Sequence, residues 1–175
     1  MKSVKEDFAA VYEKYFSAVY NYVYAQLLHR ERTEDVVSDV FLKAMAHYDE
    51  YDPKKAQVQT WLMRIARNTL IDLYRKSGHA EILTLDEEGA EEPFVEEEFR
   101  ILDEPLYQEV YNLLRKLSKG ERELISMIYF QDMKNQQIAE VLGINAKAVS
   151  ERHRRLLEKC RKLEKGTDLR ELLES

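Results

Sequence analysis

The chain has 175 residues, 45% of them hydrophobic, with only five glycines and three prolines. This length allows one ordinary domain or two small ones, and the scarcity of turn residues together with helical spacing of apolar residues excludes a strand-rich fold. No apolar run approaches the roughly 18 residues of a membrane span, and the first seven residues contain no apolar signal core. We therefore expect a cytoplasmic protein without a membrane span.

The charge is unevenly distributed, although the formal net charge of −6 at first argues against a nucleic-acid partner. Residues 1–76 carry 12 Lys/Arg against 11 Asp/Glu, residues 77–104 carry 1 against 11, and residues 105–175 carry 14 against 11. The acidic stretch repels itself and can bury little apolar surface, so it is predicted to be a flexible linker. A second interpretation stays open, in which the acidic strand occupies a basic channel that nucleic acid normally uses.

The fold class predicted is all-α, with two small helical domains at 1–77 and 105–175 joined by an acidic flexible linker at 78–104. In the first domain, apolar residues at three- and four-residue spacings predict a long helix over 5–28. Thr33 is the predicted N-cap of a second helix that runs to about His47. A third helix follows the loop 52–55 and ends before Gly78.

The second domain begins with Pro105, which suits the first turn of a fourth helix. Its apolar stripe contains Leu106, Val110, Leu113, Leu114 and Leu117. Ser118 and Glu121 then have the spacing of a capping box, which predicts the start of a fifth helix.

Residues 136–149 have the pattern of a helix-turn-helix. Asn135 is the predicted cap of its first helix, Ala139 allows close helix crossing, and Gly143 supplies a turn conformation that is costly for other residues. Ile144 and Val149 are predicted to fill the junction between the two helices. Residues 145–165 carry eight Lys/Arg against three Asp/Glu. A basic helix alone is as often a solvated surface, but after this turn it predicts entry into the major groove of DNA.

The acidic segment 34–44 resembles the second helix of the extracytoplasmic-function (ECF) sigma factors of bacterial RNA polymerase. Asp35 and Asp39 lie four residues apart on one helix face, where their repulsion favours a basic partner. The resemblance implies that this face docks on core RNA polymerase, at the clamp helices of the beta-prime subunit, and that the beta flap is a further contact of the protein with the polymerase. The implied contact residues are Asp35, Asp39, Phe41 and Leu42.

The segment 60–76 resembles the part of the same family that melts the promoter and reads its minus-10 element. Arg64, Arg67 and Lys76 are predicted to hold phosphates, and Asn68 offers both a donor and an acceptor to a base edge. The loop 51–58 corresponds to the one that captures a flipped base in the family. Trp61 could stack on a base, but its spacing favours a place in the core, and Asp72 is predicted to form an ion pair within the protein.

The helix-turn-helix corresponds to the reader of the minus-35 element in this family. The predicted base-reading residues are Lys147, Ser150, Glu151 and Arg152, and Arg154 and Arg155 are predicted to contact phosphate or to form surface ion pairs. The sequence departs from the family at two positions, since Gln137 replaces the usual Glu and Glu151 replaces a small polar residue. Glu151 can accept from a cytosine amino group or pair with a neighbouring Arg, and both roles stay open.

The resemblance implies a targeting subunit, with core polymerase and promoter DNA as partners and an anti-sigma factor as a further one. We predict no enzymatic activity, catalytic residue, metal or cofactor, because the four histidines are scattered and no phosphate-binding loop is present. The stronger rival is a dimeric repressor, since a helix-turn-helix alone does not distinguish the two. The acidic second helix and the basic third helix favour the sigma factor.

Overall fold

The computed structural model describes residues 5–77 and 104–163, with backbone alone for residues 77 and 104–108. Every regular element in these ranges is a helix, which confirms the predicted all-α class. The predicted linker lies outside the described residues except for Glu104, which already begins a helix. None of the described helices is long and apolar enough to cross a bilayer.

The first half contains α1 (Phe8–Leu27), α2 (Arg30–His47), a 3₁₀ turn (Tyr48–Glu50) and α3 (Val58–Ser77). The three helices pack against one another, with fully buried residues such as Val23, Val40 and Leu62 at the centre. α1 ends where Leu28 adopts a left-handed conformation (φ 50°) and donates its N–H to the Tyr24 carbonyl. The three helices predicted for the first half are therefore confirmed.

The predicted start of the second helix was wrong by one turn. His29, not Thr33, is the N-cap, and its Nδ1 accepts a hydrogen bond of 3.3 Å from the Arg32 N–H. Thr33 lies inside the helix, fully buried, and its hydroxyl donates to the His29 carbonyl at 2.8 Å. An imidazole therefore takes the capping role that the sequence assigned to a hydroxyl, because both side chains present an acceptor.

The second half contains α4 (Glu104–Arg115), α5 (Lys119–Ile125), a π-helical turn (Ser126–Phe130), α6 (Asn135–Leu142) and α7 (Ala146–Leu163). Its predicted apolar stripe is buried at Val110, Leu113, Leu114 and Leu117. The predicted capping box of α5 is present: the Ser118 hydroxyl accepts from the Glu121 N–H at 3.3 Å, and the Glu121 carboxylate accepts from the Ser118 N–H at 2.8 Å.

The two halves pack directly against each other, which the sequence did not predict. α1 contacts α5 and the π-helical turn, and α3 contacts α6. As a result, the last turns of α1 are buried on every side, including the polar Asn21 and Gln26. A helix that meets only one neighbouring layer would keep such polar residues in water.

Candidate nucleic-acid interface

The helix-turn-helix is built from α6, a short turn and α7. Gly143 closes α6 in a left-handed conformation (φ 68°) that favours glycine, and its N–H donates to the Ala139 carbonyl. Asn145 precedes α7 and caps it, because its side-chain oxygen accepts from the Ala148 N–H at 2.8 Å. Val149 is completely buried at the junction, while Ile144 packs at its edge.

Asn135 is not the N-cap of α6, so that prediction was wrong. The cap position is Lys134, and the Gln137 side chain accepts from the Lys134 N–H at 3.0 Å. Asn135 is the first helical residue, and its amide donates to the Ser150 hydroxyl at 2.9 Å. This hydrogen bond ties the start of α6 to α7 and engages one of the predicted base-reading side chains.

The exposed face of α7 presents most of the predicted minus-35 residues. Lys147, Ser150 and Arg152 are exposed. Arg154 and Arg155 converge on Glu151: its Oε1 accepts from Arg154 Nη2 at 2.7 Å and from Arg155 Nε at 3.1 Å. The hydrogen bond from Arg154 is the main cause that lowers the pKa of Glu151, so this carboxylate is ionised at neutral pH. Glu151 therefore takes the ion-pairing alternative in the free chain.

The opposite face of α7 is fixed to the rest of the second half. Leu156 and Cys160 are buried, and the Tyr129 hydroxyl lies 3.0 Å from Nε2 of His153. Lys159 donates to the Glu121 carboxylate at 2.7 Å. Burial alone would raise the pKa of Glu121, but hydrogen bonds from Lys159 and Ser118 outweigh burial and lower it. These contacts hold α7 so that its basic face points outward.

On α3, the predicted minus-10 residues fall into two groups. Arg64, Asn68 and Lys76 are exposed, and Arg67 is partly buried. Asp72 lies 3.9 Å from Arg75 in an exposed pair within the helix, in keeping with the ion pair predicted for it.

Trp61 belongs to an aromatic cluster at the start of α3. Its ring lies 4.9 Å from that of Tyr51 and 6.0 Å from that of Tyr48, measured between centroids. Tyr51 is buried, and its hydroxyl donates to the Ala56 carbonyl at 2.8 Å, which braces the loop 51–58. Trp61 itself is only partly buried, so it packs beside Tyr51 while part of its surface stays open to solvent.

Two arginines of α3 contact the second half. Arg67 Nε donates to the Glu123 carboxylate at 2.9 Å, and Arg64 Nε donates to the Glu140 carbonyl at 3.3 Å. The Tyr22 hydroxyl donates to the same carboxylate oxygen of Glu123 at 2.5 Å. Sequence reasoning missed Glu123 and Tyr22, and the only available signal was a group of polar residues in the otherwise apolar end of α1.

A cleft of about 570 Å³ separates the loop 51–58 from α6. The loop side provides Lys54, Lys55 and Gln57, and the helix side provides Gln136 and Glu140. The Gln137 side chain crosses this cleft and donates to the side-chain oxygen of Gln57. The loop expected to capture a flipped base therefore faces the helix-turn-helix rather than open solvent.

The acidic face of α2 is exposed as predicted for a docking surface. Asp35, Asp39 and Leu42 lie on one face, and 61% of Leu42 is exposed. Lys43 forms an exposed ion pair of 3.0 Å with Asp39. Phe41 differs from the other three predicted contacts, because it is 5% exposed and packs on Tyr12.

Phe41 forms part of an aromatic groove of about 280 Å³ beside this face. The groove is lined by Tyr12, Phe16, Tyr20, Glu34, Val37, Ser38 and Phe41. Among the described residues, no group of three or more His, Cys, Asp or Glu side chains could hold a metal ion.

Comparison with known proteins identifies both halves. Residues 11–80 match the model of sigma-70 region 2, and residues 107–160 match the model of sigma-70 region 4. The RNA polymerase sigma factor YlaC of Bacillus subtilis is 25% identical over 161 residues, which is 90% of this chain and 92% of that protein. The ECF sigma factor SigX of the same organism is 24% identical over 91% of this chain and 84% of its own length.

Another relative is longer than this chain. The ECF sigma factor BldN of Streptomyces coelicolor is 25% identical over 143 residues, and the chain spans 54% of its length. Two solved structures are similar across both halves. CnrH in complex with the cytosolic domain of CnrY has a TM-score of 0.64 and 26% identity, covering 89% of this chain and 86% of its own. RpoE in complex with the anti-sigma factor NepR from Bartonella quintana has a TM-score of 0.73 and 23% identity, covering 91% and 98%.

Proposed function

Because this chain belongs to the ECF family of RNA polymerase sigma factors, we propose that its two halves divide promoter recognition between them. Residues 1–77 dock on core polymerase and hold the opened minus-10 strand, and residues 105–175 contact the beta flap and read the minus-35 duplex. The observation that carries the proposal is that one chain combines an acidic exposed helix face, a basic third helix and a helix-turn-helix. A repressor needs only the last of these.

Docking on polymerase is assigned to the face of α2 that carries Asp35, Asp39 and Leu42. Exposed carboxylates around an exposed apolar side chain suit a basic partner surface with an apolar centre, such as the clamp helices of beta-prime. Phe41 does not project from this face, and it contributes by lining the groove beside it.

The minus-10 strand is assigned to α3 and the loop before it. Arg64, Arg67 and Lys76 bind phosphates without regard to sequence, and Asn68 reads a base edge. Trp61 packs beside the loop 51–58 and offers the exposed part of its ring to a base. In the free chain, Arg64 and Arg67 contact the second half. Both can bind phosphates of the minus-10 strand only if the two halves separate on polymerase.

The minus-35 duplex is assigned to α7, where Lys147, Ser150, Glu151 and Arg152 approach the bases and Arg154 and Arg155 approach phosphates. Two weak readers joined through polymerase gain affinity by effective concentration, so neither half needs to bind DNA tightly alone. The protein acts as a targeting subunit in the cytoplasm, and the catalytic chemistry belongs to the polymerase.

An anti-sigma factor is proposed as a further partner. Support comes from the two structurally similar chains, since RpoE was solved with the anti-sigma factor NepR and CnrH with the cytosolic domain of CnrY. The aromatic groove beside α2, lined by Tyr12 and Phe41 among others, is the surface we assign to such a partner.

The test is promoter-dependent transcription by core polymerase, with and without this protein, on a library of random upstream sequences. We expect transcripts with two enriched motifs spaced as minus-35 and minus-10 elements. Asp35→Lys and Asp39→Lys together should weaken binding to core polymerase by roughly tenfold or more. Asp49→Lys and Glu50→Lys together are the matched control, because they reverse two exposed charges on the neighbouring 3₁₀ turn. Tight binding to duplex DNA without any stimulation of transcription would favour a repressor.

A further inference from the structure

Glu123 of α5 joins the two halves through a buried polar contact. The residue is 9% exposed, and its Oε1 accepts from the Tyr22 hydroxyl at 2.5 Å and from Arg67 Nε at 2.9 Å. Tyr22 lies on α1 and is completely buried, and Arg67 lies on α3. The carboxylate of one half is therefore held by a hydroxyl and a cation of the other half.

This arrangement ties the burial of Glu123 to the contact between the halves. A carboxylate removed from water is costly unless a cation and hydrogen-bond donors replace its hydration. Tyr22 and Arg67 supply these groups, and both are lost to Glu123 if the halves separate, when water takes their place. The interaction thus stabilises the closed arrangement specifically.

Neighbouring contacts across the same surface are also polar. Arg122 Nη1 donates to the Gln26 carbonyl at 3.1 Å, and Gln59 Nε2 donates to the Gln131 carbonyl at 2.9 Å. The Gln131 side chain in turn donates to the Ala18 carbonyl. Surfaces between domains that associate reversibly are more polar than permanent cores. These polar contacts therefore suit two halves that close and open again.

We propose that Glu123 makes an autoinhibitory contact. Its carboxylate binds the Arg67 guanidinium and so keeps the two halves of the free chain together. The inference rests on the proposed function, which assigns Arg67 to a phosphate of the minus-10 strand. Carboxylate and phosphate oxygens accept from a guanidinium in the same way, so DNA and Glu123 compete for this group.

The closed arrangement lowers the apparent affinity of α3 for single-stranded DNA by the fraction of molecules that are open. Arg64 stays exposed but also contacts the second half, because its Nε donates to the Glu140 carbonyl at 3.3 Å. The acidic face of α2 stays exposed in the same arrangement. The face of α2 can therefore bind polymerase while the halves are still together. The basic helix α3 becomes available when the second half moves to its own binding site on polymerase.

The test uses the full-length free protein with Glu123→Gln and Tyr22→Phe, which weaken the contact from opposite halves. Glu109→Gln is the matched control, since it removes one negative charge from an exposed position of α4 in the same half as Glu123. Small-angle X-ray scattering reports whether the halves separate. Fluorescence anisotropy with a short random-sequence single-stranded DNA reports whether the phosphate-binding groups become available.

We expect both contact variants to have a larger radius of gyration than the wild type and to bind the DNA roughly three- to tenfold more tightly. Tyr22→Phe is decisive because it changes no charge. Glu123→Gln should bring no further gain in a chain that already carries Arg67→Ala, because the contact is then already broken.

The proposal is overturned if Glu123→Gln and Tyr22→Phe scatter and bind DNA as Glu109→Gln does. It is also overturned if Glu123→Gln tightens DNA binding by the same factor in a chain that already carries Arg67→Ala. These measurements need no polymerase, so they separate the contact from the proposed function. Failure of transcription with an intact closing contact would contradict the promoter assignment alone.

Discussion

The two helices assigned to DNA, α3 and α7, differ in what surrounds their cations. On α3, the Arg67 side chain is 31% exposed and bound to Glu123 of the other half. On α7, the side chains of Arg154 and Arg155 are 56% and 71% exposed, and the ion pairs described for them are with carboxylates of the same helix. The free chain therefore leaves the cations of its duplex reader open, whereas Arg64 and Arg67 of its single-strand reader contact the other half. Both helices have the sequence pattern of a basic helix, but their cations differ in how freely they can bind DNA.

The largest effect is expected for Arg152→Ala on α7, the helix whose cations are open to solvent. Arg152 is exposed near the start of α7, where a bidentate contact to a base edge discriminates strongly. We expect the affinity of the free chain for its minus-35 duplex to fall roughly 5- to 150-fold. Fluorescence anisotropy measures this, with Arg161→Ala as the control near the other end of the helix. Equal losses in the two variants would mean that Arg152 contributes charge and not recognition.

A smaller effect is expected on α3, where Arg67→Ala and Arg64→Ala form a matched pair. Arg67→Ala leaves the buried Glu123 carboxylate without its cation, so we expect unfolding stability to fall by about 1–2 kcal/mol. Arg64 is exposed and donates to a carbonyl at 3.3 Å, so its loss should cost less than about 1 kcal/mol. Urea denaturation measures both variants. Equal costs would show that burial of Glu123 does not distinguish the two arginines.

The helices themselves could be predicted because their signals are local. The capping box at Ser118, the left-handed Gly143 and the apolar stripe of α4 depend on residues within one or two turns of each other. The caps of α2 and α6 were missed because His29 and Lys134 are not the residue types that usually occupy this position.

The contact between the halves could not be predicted in the same way. Glu123 follows Arg122 in a charged stretch that has the pattern of a solvated helix face. Its partner Tyr22 lies 101 positions earlier in the chain. The burial of Glu123 depends on which surface covers α5, and periodicity within a helix carries no information about that surface.

The buried Tyr22 should make the stability of the contact between the halves depend on pH in the alkaline range. Burial, and next the Glu123 carboxylate, raise the pKa of Tyr22 well above its ordinary value of 10.0. A tyrosine with a raised pKa in the folded state contributes stability that is complete below the pKa of the unfolded chain. That contribution is lost as pH rises above it, because the unfolded chain then releases its proton more readily.

Denaturation midpoints measured on both sides of pH 10.0 should therefore fall with rising pH in the wild type and fall less steeply in Tyr22→Phe. The pKa values of Tyr48 and Tyr51 are also raised by burial, so a residual slope is expected. Tyr12→Phe is the control, since 43% of Tyr12 is exposed to solvent. If Tyr22→Phe keeps the full slope, Tyr22 does not titrate as a buried group of the contact.

The smallest effect is expected for Glu151→Gln, which decides between the two roles that the sequence left open. Its carboxylate accepts from Arg154 and Arg155, and the hydrogen bond from Arg154 keeps its pKa low. If the carboxylate only orients these arginines, the substitution frees both for phosphate. DNA affinity should then rise by less than about threefold on every sequence, with a steeper dependence on salt.

Glu158→Gln is the matched control for Glu151→Gln, because Glu158 pairs with the same Arg154 at 2.6 Å but lies two turns further from the start of α7. Selection on the random library measures the sequence preference of each variant. We expect Glu151→Gln and Glu158→Gln to enrich the same motif as the wild type. A preference lost at one base pair in Glu151→Gln alone would instead make Glu151 a reader of that base, since a carboxylate selects the amino group of cytosine.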